Sequence, residues 1–192
     1  MLSLLMVAAV LTFGVSASSA QPVVERVQVD GIIGPATARY VLRGLDRAVH
    51  DGAQALVIEL DTPGGLMRSM DDITKAMLNS PLPVVVYVYP HGARAASAGV
   101  FITYAANVAA MAPATHLGAA HPVTVGGTGA APDKTMMTKL ENDAAAEIRG
   151  FAAQRGRNAA WAERAVRLSE SLTADQAFRL HVIDLVAASP RE

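Results

Sequence analysis

Ser97 is the one hydroxyl in the stretch GARAASAGVF, Gly92 to Phe101. Acyl transfer by a serine needs three things: an activated hydroxyl, a base, and donors for the oxyanion. Ser97 stands where a helix is expected to begin. There its hydroxyl can be exposed and the next amide, on Ala98, can point at a developing negative charge. Ala95, Ala96, Ala98 and Gly99 leave room for a peptide backbone. The same stretch also fits close helix packing with Ser97 as an N-cap. A second feature bears on the choice. Pro63-Gly64-Gly65 follows a continuous apolar run, and glycines there allow φ > 0 and a close approach to a ligand. They can supply the second oxyanion donor, or simply a tight strand-to-helix turn.

Several residues compete for the part of base. Lys139 is flanked by Met136, Met137 and Leu140, which can give the apolar cover a lysine needs to be neutral. It can equally be a solvated helix lysine paired with Asp143 at i+4. Lys134 lies in a Gly/Pro-rich segment and is expected to be exposed, and Lys75 sits beside Asp71 and Asp72 as a surface ion pair. His121 is the stronger rival, because imidazole needs little adjustment to act as a base. Its orienting acid would be Asp143, Asp175 or Asp184.

Other chemistries are poorly served. There is no cysteine, so thiol nucleophiles, disulfides and zinc–thiolate sites are excluded. His50, His91, His116, His121 and His181 are scattered without ligand spacing, so no metal and no cofactor is expected. Gly126-Gly127-Thr128-Gly129 lacks the Lys-Ser/Thr ending of a phosphate loop. No glutamate pair of the kind that handles thioester enolates stands near the glycine turn.

The elements that would position these residues alternate. Val23 to Val29 alternates apolar and polar, as a half-buried strand does. A helix follows over Ala36 to His50, then a buried strand over Ala55 to Thr62 and a helix over Leu66 to Leu78. A second buried strand covers Pro83 to Tyr89, a short helix Ser97 to Ala106, and a strand Val108 to Pro113. Pro122 to Asp133 reads as a loop able to close over a peptide. Long helices are expected over Met136 to Gln154 and Ala159 to Leu168, with Trp161 as a packing anchor between them. Thr173 and Gln176 form a capping-box pattern, and Val182 to Ala187 closes the domain as a strand. Strand–helix alternation means an α/β fold with helices on a mainly parallel sheet. Sites in such sheets form where strands end and helices begin.

Composition sets the outer bounds. The chain has 192 residues, 52% of them hydrophobic and 17% charged, with a formal net charge of −1. That is enough for one packed domain, and it carries no basic patch for nucleic acid. Residues 1–20 are uncharged and apolar up to about Val15, then small and polar. They are expected to be a signal peptide or N-terminal anchor, with the domain occupying residues 21–189 outside the cytoplasm or at a membrane.

The motifs DTPGG, ARAASAGVFI, MAPATHLGAAHPV and KLENDAAAEIRGFAAQRGRNAAWAERAV occur in that order, followed by SLTADQAFRLHVID. Together they resemble the NfeD-type membrane-bound serine proteases, relatives of the ClpP and signal peptide peptidase A groups. The resemblance spans nearly everything from Val23 to Val186. It implies a ClpP/crotonase-like fold of stacked ββα units and endopeptidase activity through a serine–lysine dyad. It also implies cleavage of hydrophobic segments, notably in stomatin-like membrane proteins, and self-association into a dimer or larger ring. Carried over by position, Ser97 matches the nucleophile and Lys139 the general base. Gly64, Gly65 and the Ala98 amide match the oxyanion hole. The more distant ClpP pattern, with a serine–histidine–aspartate triad, keeps His121 open as the base. Many members continue into transmembrane helices and a small β-barrel domain. A binding module without catalysis and a crotonase-type acyl-CoA enzyme are the alternative readings. The apolar lining of the groove is expected from Leu66, Met67, Val100 and Phe101.

Overall fold

The computed structural model describes residues 23–123 and 133–190. The expected leader in residues 1–20 and most of the Pro122 to Asp133 loop lie outside the described residues. The chain begins with β1 (Val24–Asp30), whose buried residues Val27 and Val29 alternate with exposed ones. Helix α1 (Pro35–His50) starts with proline at its first turn, where a missing N–H costs nothing. It buries Ala38, Val41, Leu45 and Ala48. Strand β2 (Ala55–Asp61), helix α2 (Met67–Leu78) and β3 (Val84–Val88) follow. Next come the short β4 (Arg94–Ala96), helix α3 (Ala98–Ala105) and β5 (Val108–Met111).

The second half contains β6 (His116–Gly118), the long α4 (Lys134–Arg155), α5 (Ala159–Arg167) and β7 (Ser171–Thr173). It ends in α6 (Ala174–Arg179) and β8 (Leu185–Val186). The main sheet has five parallel strands in the order β1-β2-β3-β5-β8, and a second sheet has the order β4-β6-β7. An isolated bridge from Thr62 to Ala95 joins the end of β2 to β4, so the two sheets meet at the strand ends. The α/β class with helices on a mainly parallel sheet is as the sequence implies.

One face of the sheet presents Val27, Val29, Leu56, Ile58, Leu60, Val86 and Met111 to the main core beneath the helices. The opposite face carries a smaller cluster of Tyr87, Ala110, Ala112 and Ala187. Every residue of α3 is buried, which is why its sequence is apolar all round.

Four details differ from expectation. The three-residue strands β4, β6 and β7 were not legible as strands, being too short to show alternation. Lys134 begins α4 rather than lying in a loop, because the Asp133 side chain accepts from Thr135 N–H at 3.0 Å and caps the helix. Trp161 stacks on Tyr104 of α3, ring centroids 6.1 Å apart, so it ties α5 to the central helix rather than only to α4. The last strand shrinks to Leu185–Val186, since Asp184 is committed to Ala109 N–H and Arg157. The capping box at Thr173 and Gln176 is formed as its spacing dictates.

Candidate active site

Strand β4 runs straight into α3, and Ser97 is the single residue between them. Its backbone lies at φ 52°, ψ −115°, a region that non-glycine residues rarely occupy and that costs on the order of 1–3 kcal/mol. The surroundings hold it there. Ser97 N–H donates to Gly118 O at 3.1 Å, and Ser97 O accepts from Val100 N–H at 3.0 Å. On one side β4 pairs with β6, and on the other it bridges to Thr62. The half-buried Ser97 side chain makes no cap hydrogen bond. Packing alone accounts for the small residues beside it: at Gly99 a Cβ would lie 2.7 Å from Thr62 Cγ2 and 3.2 Å from Ala95 Cβ. What packing does not account for is a hydroxyl with no partner among the described residues on a strained strand-to-helix turn.

The glycine turn lies directly against it. At Gly64, φ is 116°, and a Cβ there would stand 2.6 Å from Ser97 Cβ and 3.1 Å from Ser97 Oγ. The two glycines differ in what their amides do. Gly64 N–H donates to Thr62 Oγ1 at 3.0 Å, and its carbonyl accepts from Ile33 N–H at 2.9 Å. Gly64 therefore contributes space rather than a free donor. Ile33 O also accepts from Leu66 N–H at 2.8 Å. Gly65, between those two bonds, has its own N–H turned away from Ile33. Among the described residues neither Gly65 N–H nor Ala98 N–H has an acceptor. Ala98 is the first residue of α3, so its amide sits at the positive end of that helix.

Two cavities meet at Ser97. One, of roughly 100 Å³, is lined by Met67, Met70, Phe101, Leu140 and Ala144, together with Gly65, Ala98 and Glu147. The other, of roughly 410 Å³, is bounded by Ile32, Leu66, Ala119, His121 and Val123 together with Gly64 and Gly65. Of the expected apolar lining, Leu66, Met67 and Phe101 face these cavities. Val100 does not: it points into the core with no exposed surface.

The structure treats the competing bases differently. His121 lines the larger cavity with Ser97, and its Nδ1 lies 2.9 Å from Val166 O. A carbonyl can only accept, so Nδ1 donates in that contact and Nε2 is the ring nitrogen left for another partner. Lys139 stands on α4 one residue before the wall residue Leu140, off the Leu140–Ala144–Glu147 stripe that faces the smaller cavity. It is exposed, as is Met136, so the expected apolar cover is not in place. Lys139 also forms no ion pair with Asp143 among the described residues. Lys134 and Lys75 are exposed and line neither cavity.

Glu147 was not singled out by the sequence. Burial first, then the charges of Asp71 and Asp143, push its carboxyl up to about 7, with Lys75 opposing. Asp71 is raised in the same sense, chiefly by burial. The signal available in sequence was its helical spacing from Leu140 and Ala144, which places it on the cavity face.

The family model of the NfeD1b N-terminal domain matches residues 23–187. The chain belongs to the NfeD1b family. This NfeD1b domain is 37% identical over 186 residues to the membrane-bound protease PH1510 of Pyrococcus horikoshii, covering 95% of the chain and 41% of that relative. It is 33% identical over 108 residues to the membrane protein NfeD1b of Bacillus subtilis, covering 56% of the chain and 24% of the relative. The chain thus spans less than half the length of these curated relatives.

Solved structures of the PH1510 N-terminal domain, 1510-N, share its fold. A serine-to-alanine variant of this stomatin-specific protease matches with TM-score 0.82 at 37% identity, covering 90% of this chain and 83% of that one. A lysine-to-alanine variant in complex with a substrate peptide matches with TM-score 0.83 at 36% identity, covering 90% and 78%. The relatives are membrane-bound. No helix among the described residues here is long and apolar enough to cross a membrane.

Proposed function

We propose that this NfeD1b domain is a serine endopeptidase whose nucleophile is Ser97. The observation that carries this is a Ser97 hydroxyl on a strained turn that shares a cavity with the amides of Gly65 and Ala98, all three without hydrogen-bond partners among the described residues. Ser97 Oγ attacks the carbonyl carbon of the scissile peptide bond. The oxyanion receives hydrogen bonds from Gly65 N–H and Ala98 N–H, while Gly64 gives the room. The base takes the serine proton and returns it to the leaving amine, and water then hydrolyses the acyl-enzyme.

Lys139 is the base in this scheme. It is exposed on α4, on a different face from the wall residue Leu140, so the scheme requires that a bound peptide bring it to Ser97 and remove it from water. The relative captured with a substrate peptide carries a lysine-to-alanine change, which supports the assignment. The substrate is a hydrophobic segment of a stomatin-like membrane protein. Support comes from the apolar rim of Ile32, Leu66, Met67 and Val123 and from the stomatin specificity of 1510-N. The domain acts outside the cytoplasm or at the membrane surface, as a dimer or larger assembly, within a chain whose residues 1–20 direct export or anchoring.

One observation favours a second base, His121: it shares a cavity with Ser97 and has its Nδ1 proton already committed. Hydrolysis of a hydrophobic fluorogenic peptide by Lys139→Ala and His121→Ala decides between them. The lysine scheme predicts a loss of 10³-fold or more in kcat for Lys139→Ala and a loss under 10-fold for His121→Ala. The reverse pattern overturns it.

A further inference from the structure

Glu147 is a half-buried carboxyl in the wall of the cavity beside Ser97, and among the described residues the only charged group in that wall. Among the described residues the other shielded glutamates pair with arginines, although Asp71, also raised by burial, forms no ion pair. Glu59 pairs with Arg26, Glu141 and Glu163 with Arg167, and Glu170 with Arg164. Glu147 has no hydrogen bond or ion pair among the described residues. The groups that act on it are Asp71 and Lys75 of α2 and Asp143 of its own helix, a net negative surrounding. Helix α3, packed between α2 and α4, brings no charged side chain.

An apolar cleft with one unmatched acceptor has a specific requirement. Met67, Met70, Phe101 and Leu140 favour an aliphatic stem. A carboxylate among them is left unpaired by a wholly apolar occupant, and the cost of that mismatch falls on binding. A side chain with an aliphatic stem and a donor at its tip satisfies both. Gly65, Ser97 and Ala98 line the same cavity, which makes the side chain of the residue whose carbonyl Ser97 attacks the nearest group to fill it.

We propose that Glu147 sets the specificity of this cavity, favouring a long aliphatic side chain tipped by a hydrogen-bond donor, lysine above all, over an apolar chain of equal length. The proposal rests on Ser97 as nucleophile and adds a selective position within an otherwise hydrophobic substrate. Because burial and acidic neighbours hold the carboxyl up at about 7, the preference for a cation is full above neutrality and weakens below it.

The test uses two peptides that differ only in lysine or norleucine on the acyl side of the scissile bond. Wild-type protein at pH 8 is expected to cleave the lysine peptide with at least 10-fold higher kcat/KM. Glu147→Leu is expected to reverse the order, with Glu147→Gln between the two. Between pH 8 and pH 6 the wild-type ratio shrinks several-fold while that of Glu147→Leu stays flat. The same two peptides are titrated onto Ser97→Ala and onto Ser97→Ala carrying Glu147→Leu, which reads the preference without hydrolysis. An equal lysine-to-norleucine ratio with and without Glu147 overturns the proposal, whether or not the peptides are cut. Selective binding by a protein that never cuts would instead sink the protease assignment and leave the pocket preference standing.

Discussion

Replacing Gly64 with alanine probes the site without touching any reacting group. The new Cβ would lie 2.6 Å from Ser97 Cβ, 3.1 Å from its Oγ and 3.3 Å from Ala96 O. Relief to ordinary van der Waals separation needs a shift of about 1 Å, and the neighbour that moves most easily is the Ser97 side chain. A misplacement of that size costs about 10²-fold, or roughly 2.7 kcal/mol in the barrier. The backbone at φ 116° adds about 1–3 kcal/mol of strain in the folded state. The expected result is a folded Gly64→Ala protein, less stable by about 1–3 kcal/mol in urea, with kcat/KM reduced by about 10²-fold or more. Gly65→Ala is a harsher change, because its Cβ would meet Ile33 O at 2.1 Å and Ile33 C and N at 2.6 Å. There the obstacle is backbone, and loss of folding is expected. Peptide hydrolysis and urea unfolding measured on the same preparation separate the two effects. Wild-type kcat/KM in a folded Gly64→Ala protein would refute the placement of the glycine turn against the nucleophile.

Two further outcomes follow from charges outside the reacting pair. Glu147 binds a proton more tightly folded than unfolded, so its contribution to stability declines as pH rises from about 4.5 through about 7. Glu147→Gln removes that decline. Urea unfolding should show a gain on the order of 1 kcal/mol at pH 8 relative to pH 5 once solvent screening is discounted. Arg157 is buried, donating to Tyr104 O and Ala106 O at 2.9 Å each and to Asp184 Oδ2 at 2.5 Å. Arg157→Met leaves two carbonyls at the end of α3 without a donor and should cost about 2–3 kcal/mol by urea unfolding.

The main sheet and its helices were legible because their elements are long enough to show a period. Residues 55–58 and Val84–Val88 are apolar runs, as strands in the middle of a parallel sheet must be, with Glu59 the buried charge that interrupts the first strand. The parts that make the site are the parts that were hardest to read. Strand β4 is three residues long and merges into the small-residue run around Ser97, so the expected helix over Ser97 to Ala106 was legible but the strand before it was not. The strain at Ser97 comes from pairing with β6 and Thr62, which are distant in sequence. The different duties of Gly64 and Gly65 depend on Thr62 Oγ1 and Ile33, and no local pattern distinguishes two adjacent glycines. Glu147 looked like one more polar residue on a long helix. Its position opposite Met67 and Phe101 is a consequence of how α4 crosses α3. Lys139 carries the opposite lesson. Its apolar sequence neighbours suggested burial, but helical geometry sends Leu140 and Lys139 to different faces.

The central claim is that Ser97 is a nucleophile. A fluorophosphonate probe reacts with activated serines, and peptide mapping by mass spectrometry locates the adduct. The account predicts a single stoichiometric adduct on Ser97, formed at a rate that falls sharply in Gly64→Ala. Absence of any adduct in the folded, assembled protein, or an adduct on a different serine, would contradict it.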